Sequence, residues 1–204
     1  MNRPCQPAPL PSRERQRRCF LAAICTSLFL GALAPAAHAE PDPGWDLLKD
    51  GSVILFRHAT APGGGDPPGA VLNDCKTQRN LDETGRAQAR HIGEEFRARS
   101  VKVGAVLTSQ WCRTRETAAL AFPGMGRDDV RFNSFFGDAS KEAPQTDSAL
   151  AMLSRWRGPG VLVVVTHQVN ITALTGVVPN SGEGVIVRPK GDGKGIEVLE
   201  RLQP

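Results

Sequence analysis

The run V-L-V-V-V at 161–165 constrains the fold more than any other stretch of the chain: five apolar residues in a row, four of them valine. β-Branched side chains have few χ1 choices in a helix and pack well on a pleated strand. A strand with no polar alternation buries both of its faces, so the sheet that contains it needs a covering layer on each side. A second run, V-I-L-F at 53–56, has the same character. Segments of helical period lie between these runs. Residues 82–99 place Ala89, Ile92 and Phe96 near one helix face, with Asp82 or Thr84 as the cap. Residues 114–122 read as a second helix stopped by Pro123-Gly124. Asp147 is expected to cap a third helix, which carries Leu150 and Leu153 and is broken by Gly158-Pro159-Gly160. Short strands are expected at 105–107, 130–136, 185–187 and 196–199, and a short helix at 171–174. The sequence G-G-G-D-P-P-G at 63–69 reads as a flexible loop within the domain. Strands alternating with helices predict an α/β fold of three layers, with a mostly parallel central sheet flanked by helices.

The first 39 residues follow a different pattern. Residues 13–18 are R-E-R-Q-R-R, residues 20–34 are mostly apolar and uncharged, and A-H-A follows at 37–39. This is the layout of a secretory signal peptide cleaved before Glu40. It leaves 40–204 as a single exported domain, in the periplasm or secreted. The apolar run of about 15 residues is short of the ~20 needed to span a bilayer, so no membrane span is expected after cleavage. Arg17-Arg18-Cys19-Phe20-Leu21 also resembles a twin-arginine export signal. The leader holds five of the 25 Lys and Arg residues and one of the 21 Asp and Glu residues, so the remainder carries 20 of each. The net charge of +4 therefore belongs to the leader. The domain lacks the basic excess of a nucleic-acid-binding protein. Of five cysteines only Cys75 and Cys112 remain, and an oxidising compartment invites them to pair.

In an open α/β sheet, ligands bind beyond the carboxyl ends of the strands. The run at 53–56 ends on Arg57-His58, the strand at 105–107 leads to Ser109 and then Arg113 at a helix start, and the run at 161–165 ends on Thr166-His167. Any one of these is an ordinary surface or core residue. Together they bring two imidazoles and two guanidiniums to one rim. Guanidiniums are planar, permanently charged donors suited to phosphate oxygens, and a helix start adds positive potential. A neutral imidazole is a nucleophile, and a second histidine stabilises charge on the transferred group. A metal-binding module on His58 and His167 is the contrasting reading. The adjacent arginines repel a cation, and no third ligand lies at short spacing.

L-F-R-H-A-T (55–60) resembles the Arg-His-Gly signature of the histidine phosphatase superfamily, the phosphoglycerate-mutase-like group. N-L-D-E-T-G-R-A-Q-A (80–89), L-T-S-Q-W-C-R-T-R-E-T-A (107–118) and V-V-T-H-Q-V-N-I-T-A-L-T-G (164–176) are similar, in order, to three further segments of that family. The resemblance implies that His58 is the phosphate-accepting nucleophile, that Arg57, Arg113 and His167 line the phosphate pocket, and that Thr60 adds a hydroxyl. It implies no metal and no organic cofactor, and as partner a small phosphorylated substrate or phosphate. The activity implied is hydrolysis of a phosphomonoester. A catalytically silent phosphate-binding or scaffold protein of the same fold and a phosphomutase are the alternatives. The chain departs from the pattern at Ala59, where glycine is usual, and at Ser134 and Gln168, where family branches place a proton-donating acid. Glu183, Glu142 and Asp138 are the remaining candidates for that acid. A Cys75–Cys112 bridge would pin the loop carrying Arg113 to the loop after the first histidine.

Overall fold

The structure, a computed structural model, describes residues 43–191 and 195–204. The expected leader at 1–39 lies outside them. Six strands form one sheet: β1 (Val53–Arg57), β2 (Val103–Thr108), β3 (Gly126–Asp128), β4 (Val161–Thr166), β5 (Gly184–Pro189) and β6 (Ile196–Leu202). Their spatial order is β3-β2-β4-β1-β5-β6. β1 and β2 both run parallel to β4, and β2 runs parallel to β3, while β5 runs antiparallel to both of its neighbours, β1 and β6. The helices are α1 (Pro43–Asp46), α2 (Glu83–Ala98), α3 (Cys112–Ala121), α4 (Glu142–Leu153) and α5 (Gln168–Thr175). This is the expected mostly parallel sheet between helical layers.

Alternate residues of the central strands serve opposite layers. Ile54 and Phe56 of β1, with Val163 and Val165 of β4, pack with Ile92 and Phe96 of α2 and Ala118 and Ala121 of α3. Val53 and Leu55, with Leu162 and Val164, pack with Ala149 and Leu153 of α4 and Ile171 of α5. Hence neither strand alternates with polar residues, because each side chain meets hydrocarbon whichever way it points. Among the described residues, no helix is long and apolar enough to cross a membrane.

Two glycines let α2 approach its neighbours closely. A Cβ on Gly85 would stand 2.0 Å from the Thr60 carbonyl oxygen, and one on Gly93 would stand 2.1 Å from that of Ala121. No side chain fits there without backbone movement. The Gly85 contact seats the N-terminal turn of α2, capped by Asp82 as expected, directly against the chain leaving β1.

Two elements differ from expectation. Residues 130–136 form no strand. The edge strand is Gly126–Asp128, and Val130–Phe132 is a 3₁₀ turn started by Asp129, whose carboxylate accepts from the Arg131 N–H. Phe132 is fully buried, and its carbonyl accepts from the Thr166 hydroxyl instead of from a sheet partner. Nor does Asp147 cap the third helix. A 3₁₀ turn, Ala139–Lys141, capped by Asp138, runs straight into α4, which starts at Glu142 and leaves Asp147 in its interior.

Candidate active site

β1, β2 and β4 lie side by side and parallel, so their carboxyl ends open on the same rim. There a cavity of about 560 Å³ is lined by Arg57 and His58 from β1, Trp111 and Arg113 at the start of α3, His167 after β4, and Asp66 and Arg79 from the long loop before α2. The four residues first singled out, Arg57, His58, Arg113 and His167, are thus brought together.

His58 is buried, and its Nδ1–H donates to the Ala59 carbonyl at 2.7 Å. A carbonyl only accepts, so the proton sits on Nδ1 and Nε2 keeps its lone pair. Burial, assisted by the charges of Arg113, Arg79 and Arg57 and opposed by the Ala59 hydrogen bond, lowers its pKa to about 3. The imidazole is therefore neutral at working pH. His167 is oriented from both sides. Arg113 Nη2 donates to Nδ1 at 3.4 Å, so Nε2 carries the proton and donates to Ser109 Oγ at 2.8 Å. Ser109 in turn accepts from the Trp111 N–H and donates to Asn133 Oδ1. Burial first, then Arg113 and the neighbouring groups, hold the His167 pKa well below the usual range. Both imidazoles are neutral and line the cavity together with three cations.

Those cations are under-partnered. Arg57 donates one Nη–H to the Pro179 carbonyl, Arg79 donates one to the Ala61 carbonyl, and Arg113 Nη1 reaches Asp66 Oδ1 at 2.8 Å. The Nε of all three is buried without a hydrogen-bond partner. Burial lowers the pKa of each, and Arg79 also repels Arg57 and Arg113. The guanidiniums line the cavity together, so three positive charges meet there with one carboxylate to offset them. The pocket's chemistry calls for an anion with several oxygens.

Asp66 is the one carboxylate lining this cavity. Its oxygens accept from the Arg79 backbone N–H at 2.9 Å, from Trp111 Nε1 at 2.9 Å and from Arg113. Burial alone would raise its pKa, but these partners outweigh burial and hold it below the usual carboxylate range.

The other expected residues stand elsewhere. Thr60 does not line the cavity, because its backbone N–H and hydroxyl both donate to Gln88 Oε1, at 3.0 and 3.2 Å. Its role is to fix the loop after His58. Glu183 is buried in an ion pair with Arg201 and accepts from the Asn180 N–H at 2.7 Å, outside the cavity lining. Glu142 lies exposed at the start of α4 and lines only a separate shallow depression. Asp138 caps its turn and pairs with Lys141 at 3.2 Å. The candidates for the proton donor are therefore not in the pocket, whereas Ser134 and Gln168 do line it. Ala59 is accommodated without strain: Ser100 alone among the described non-glycine residues has positive φ.

Cys75 and Cys112 form a disulfide, with Cα atoms 5.7 Å apart. Gln78 braces the same junction: Oε1 accepts from the Cys112 N–H, while Nε2 donates to the Val71 and Leu72 carbonyls. Sequence reasoning missed Asp66, Arg79 and Trp111. Arg79 directly precedes the N-L-D-E-T-G motif, a signal that was available; Asp66 sits in a Gly/Pro loop that carries none.

Residues 53–134 match the model of the histidine phosphatase superfamily (branch 1), a span that contains Arg57, His58, Asp66, Arg79 and Arg113. There is no match among curated proteins. Among solved structures, the chain is similar to the protein histidine phosphatase SixA complexed with tungstate, at 15% identity over 75% of this chain and 97% of that one, with a TM-score of 0.51. It is also similar to the product of open reading frame Rv3214 from Mycobacterium tuberculosis (16% identity, 73% and 95% coverage, TM-score 0.55). A third likeness is to the mycobacterial glucosyl-3-phosphoglycerate phosphatase Rv2419c (15% identity, 72% and 96% coverage, TM-score 0.51). At such identities these structures speak for the fold alone. Residues 53–134 thus carry the signature of the histidine phosphatase superfamily, and the fold of the described domain is the one its solved neighbours share.

Proposed function

We propose that the chain is a phosphatase that hydrolyses a phosphomonoester through a phosphohistidine on His58. The observation that carries this reading is that three arginines, Arg57, Arg79 and Arg113, line one cavity with a neutral, lone-pair-bearing His58 Nε2. Arg57, Arg79 and Arg113 hold the phosphate oxygens. His58 Nε2 attacks phosphorus, an N–P bond forms and the P–O bond to the leaving group breaks. Charge on the equatorial oxygens grows in that step, and the guanidiniums stabilise it; a bound dianion also raises the His167 pKa, and protonation at Nδ1 would then give the phosphate a further donor.

Asp66 supplies the leaving oxygen with its proton. With Arg113, Trp111 and the Arg79 N–H all donating to it, it is held ionised and cannot do so. A phosphate dianion on Arg113 takes over that guanidinium and adds negative charge beside Asp66, and both changes raise its pKa. In the second half-reaction the Asp66 carboxylate takes a proton from water, the water oxygen bonds to phosphorus, and the N–P bond breaks to return His58. Three guanidiniums around the two imidazoles disfavour a cation there, which argues against a metal-binding module. A likeness to phosphatases whose substrates include phosphohistidine and a sugar-acid phosphate supports the reaction class.

We further propose that the protein is exported, with residues 1–39 removed. The Cys75–Cys112 bridge supports this, since such bonds persist in oxidising compartments. Amino-terminal sequencing of the protein isolated from its native cell should begin at Glu40; an intact amino terminus would overturn the export reading.

Rapid quenching of turnover with radiolabelled phenyl phosphate tests the mechanism. The native protein should yield a base-stable, acid-labile protein-bound phosphoryl group, and His58→Ala should lose both the label and at least about 10³-fold in kcat. Phosphate binding without label or turnover would favour the silent phosphate-binding protein.

A further inference from the structure

The cavity is larger than a phosphoryl group needs, and its two ends differ in chemistry. At about 560 Å³ it is the size of a site for a whole small molecule. Every charged residue that lines it (Arg57, Asp66, Arg79, Arg113) belongs to the phosphate end described above. The remainder of the wall is Val71, Leu72, Trp111, Phe136 and Val169, with the side chains of Gln78, Ser134 and Gln168 and glycine and alanine backbone between. Of these polar side chains, Gln168 and the Ser134 hydroxyl proton can still serve a ligand. Both ends of the Gln78 amide are engaged by backbone, and Ser134 Oγ accepts from the Phe136 N–H at 3.3 Å.

Two of the apolar residues are left facing water. Phe136 is 69% exposed and Val71 54% exposed, in a domain whose other phenylalanines are mostly buried. Phe136 lies across from the glycine loop: a Cβ on Gly65 would touch its ring edge at 3.7 Å. Trp111 connects this wall to the catalytic end, with its ring edge-on to His167 at 5.4 Å between centroids and its Nε1 on Asp66.

We infer that this wall is the subsite for the leaving group, and that it selects phosphate compounds whose organic part is aromatic or otherwise apolar over those of polyols. A sugar or glycerol moiety held there would have only Gln168 and Ser134 to serve its several hydroxyls and would set the rest against hydrocarbon, which costs binding. A flat apolar group would cover Phe136 and Val71 and stack on Trp111 or Phe136. Phe136 and Val71 are thus specificity-determining residues. The inference rests on the phosphate-end reading given under the proposed function, and it holds whether or not the bound compound is turned over.

Turnover rates would mix this effect with the differing basicity of leaving groups, so the test is binding of uncleavable phosphonates. The dissociation constants of 1-naphthylphosphonate, 2,3-dihydroxypropylphosphonate and inorganic phosphate are measured calorimetrically on the native protein, Phe136→Ala and Val71→Ser. The expected result is naphthylphosphonate binding about tenfold more tightly than the diol on the native protein, with that ratio falling about threefold or more in each variant. Inorganic phosphate, having no organic part, should bind all three proteins alike. Equal affinity for the two phosphonates, a ratio untouched by either substitution, or no binding of either phosphonate overturns the inference. A native protein that shows the preference but never acquires a phosphoryl label would overturn the hydrolytic mechanism and leave the subsite standing.

Discussion

His58 and His167 face one another across the cavity with ring centroids 5.6 Å apart and planes inclined at 68°. Each is held in a defined tautomer, His58 by the Ala59 carbonyl and His167 by Arg113 and Ser109. The pair offers a lone pair on one side of a phosphoryl group and a second imidazole on the other, and the protonation of both follows from burial among arginines.

That protonation sets a pH dependence. The His58 pKa is about 3 in the folded chain, against about 6.5 when unfolded. Above pH 6.5 the two states bind this proton equally little. As pH falls from 6.5 toward 3 the unfolded chain takes it up first, so stability drops by up to about 1.4 kcal/mol per pH unit, on the order of 4 kcal/mol across the window. His167 acts in the same direction. Urea midpoints should fall between pH 7 and 4, and less steeply in His58→Asn. Once the substrate's own ionisation is allowed for, kcat/KM should show no loss near pH 6.5 from protonation of His58.

Asp66 should matter according to leaving group. Asp66→Asn is expected to lower kcat on an alkyl phosphate about 10²-fold while changing kcat on p-nitrophenyl phosphate far less, since a good leaving group departs without a proton. Glu142→Gln and Glu183→Gln should not discriminate between the two substrates. Glu183→Gln should instead lower stability by about 1 kcal/mol, because it breaks the pair with half-exposed Arg201. Steady-state kinetics on both substrates, with thermal melts, decide among the three.

The disulfide closes a segment with a sequence separation of 37 residues. Loop-closure entropy assigns such a bond about 3–4 kcal/mol. Cys75→Ser/Cys112→Ser, or reduction of the native protein, should lower the urea midpoint accordingly. It should also raise KM severalfold, since Asp66 and Arg79 belong to the tethered loop. Thiol titration of the denatured, unreduced protein should find neither Cys75 nor Cys112 free.

Gly85→Ala should cost about 2–3 kcal/mol and also lower kcat/KM, because its Cβ displaces Thr60 and the chain beside His58. Gly93→Ala meets the Ala121 carbonyl just as closely, yet away from the cavity. It should destabilise similarly and leave phosphate affinity unchanged. Melting curves and phosphate titrations on the two variants separate packing from positioning.

The part of the site that was legible in the sequence sits at the ends of strands. Val53–Arg57 and Val161–Thr166 are so apolar that where they stop is plain, and Arg57, His58 and His167 follow at once. Arg113 was legible as the start of a helix. Arg79 had a signal in its place directly before N-L-D-E-T-G, whereas Asp66 had none, because its place depends on contacts with residues far along the chain, Arg113 and Trp111. The same holds for 130–136, where valine and phenylalanine suggested a strand. One buried ring, Phe132, and a side-chain cap on Asp129 decided otherwise. Glu183 looked available from its position near the rim, and Arg201 on β6, a distant partner, takes it out of play.

The bridge at Cys75 and Cys112 lies close in sequence to Arg79 and immediately before Arg113, two guanidiniums that repel each other. The covalent tie holds them together against that repulsion. The phosphate end of such a pocket would accept orthophosphate as well as the phosphoryl group of a substrate. If the protein hydrolyses phosphate esters as proposed, product inhibition follows from the arrangement. In a phosphate-rich medium the site would rest occupied, and the pace of the cycle would be set by how fast orthophosphate escapes.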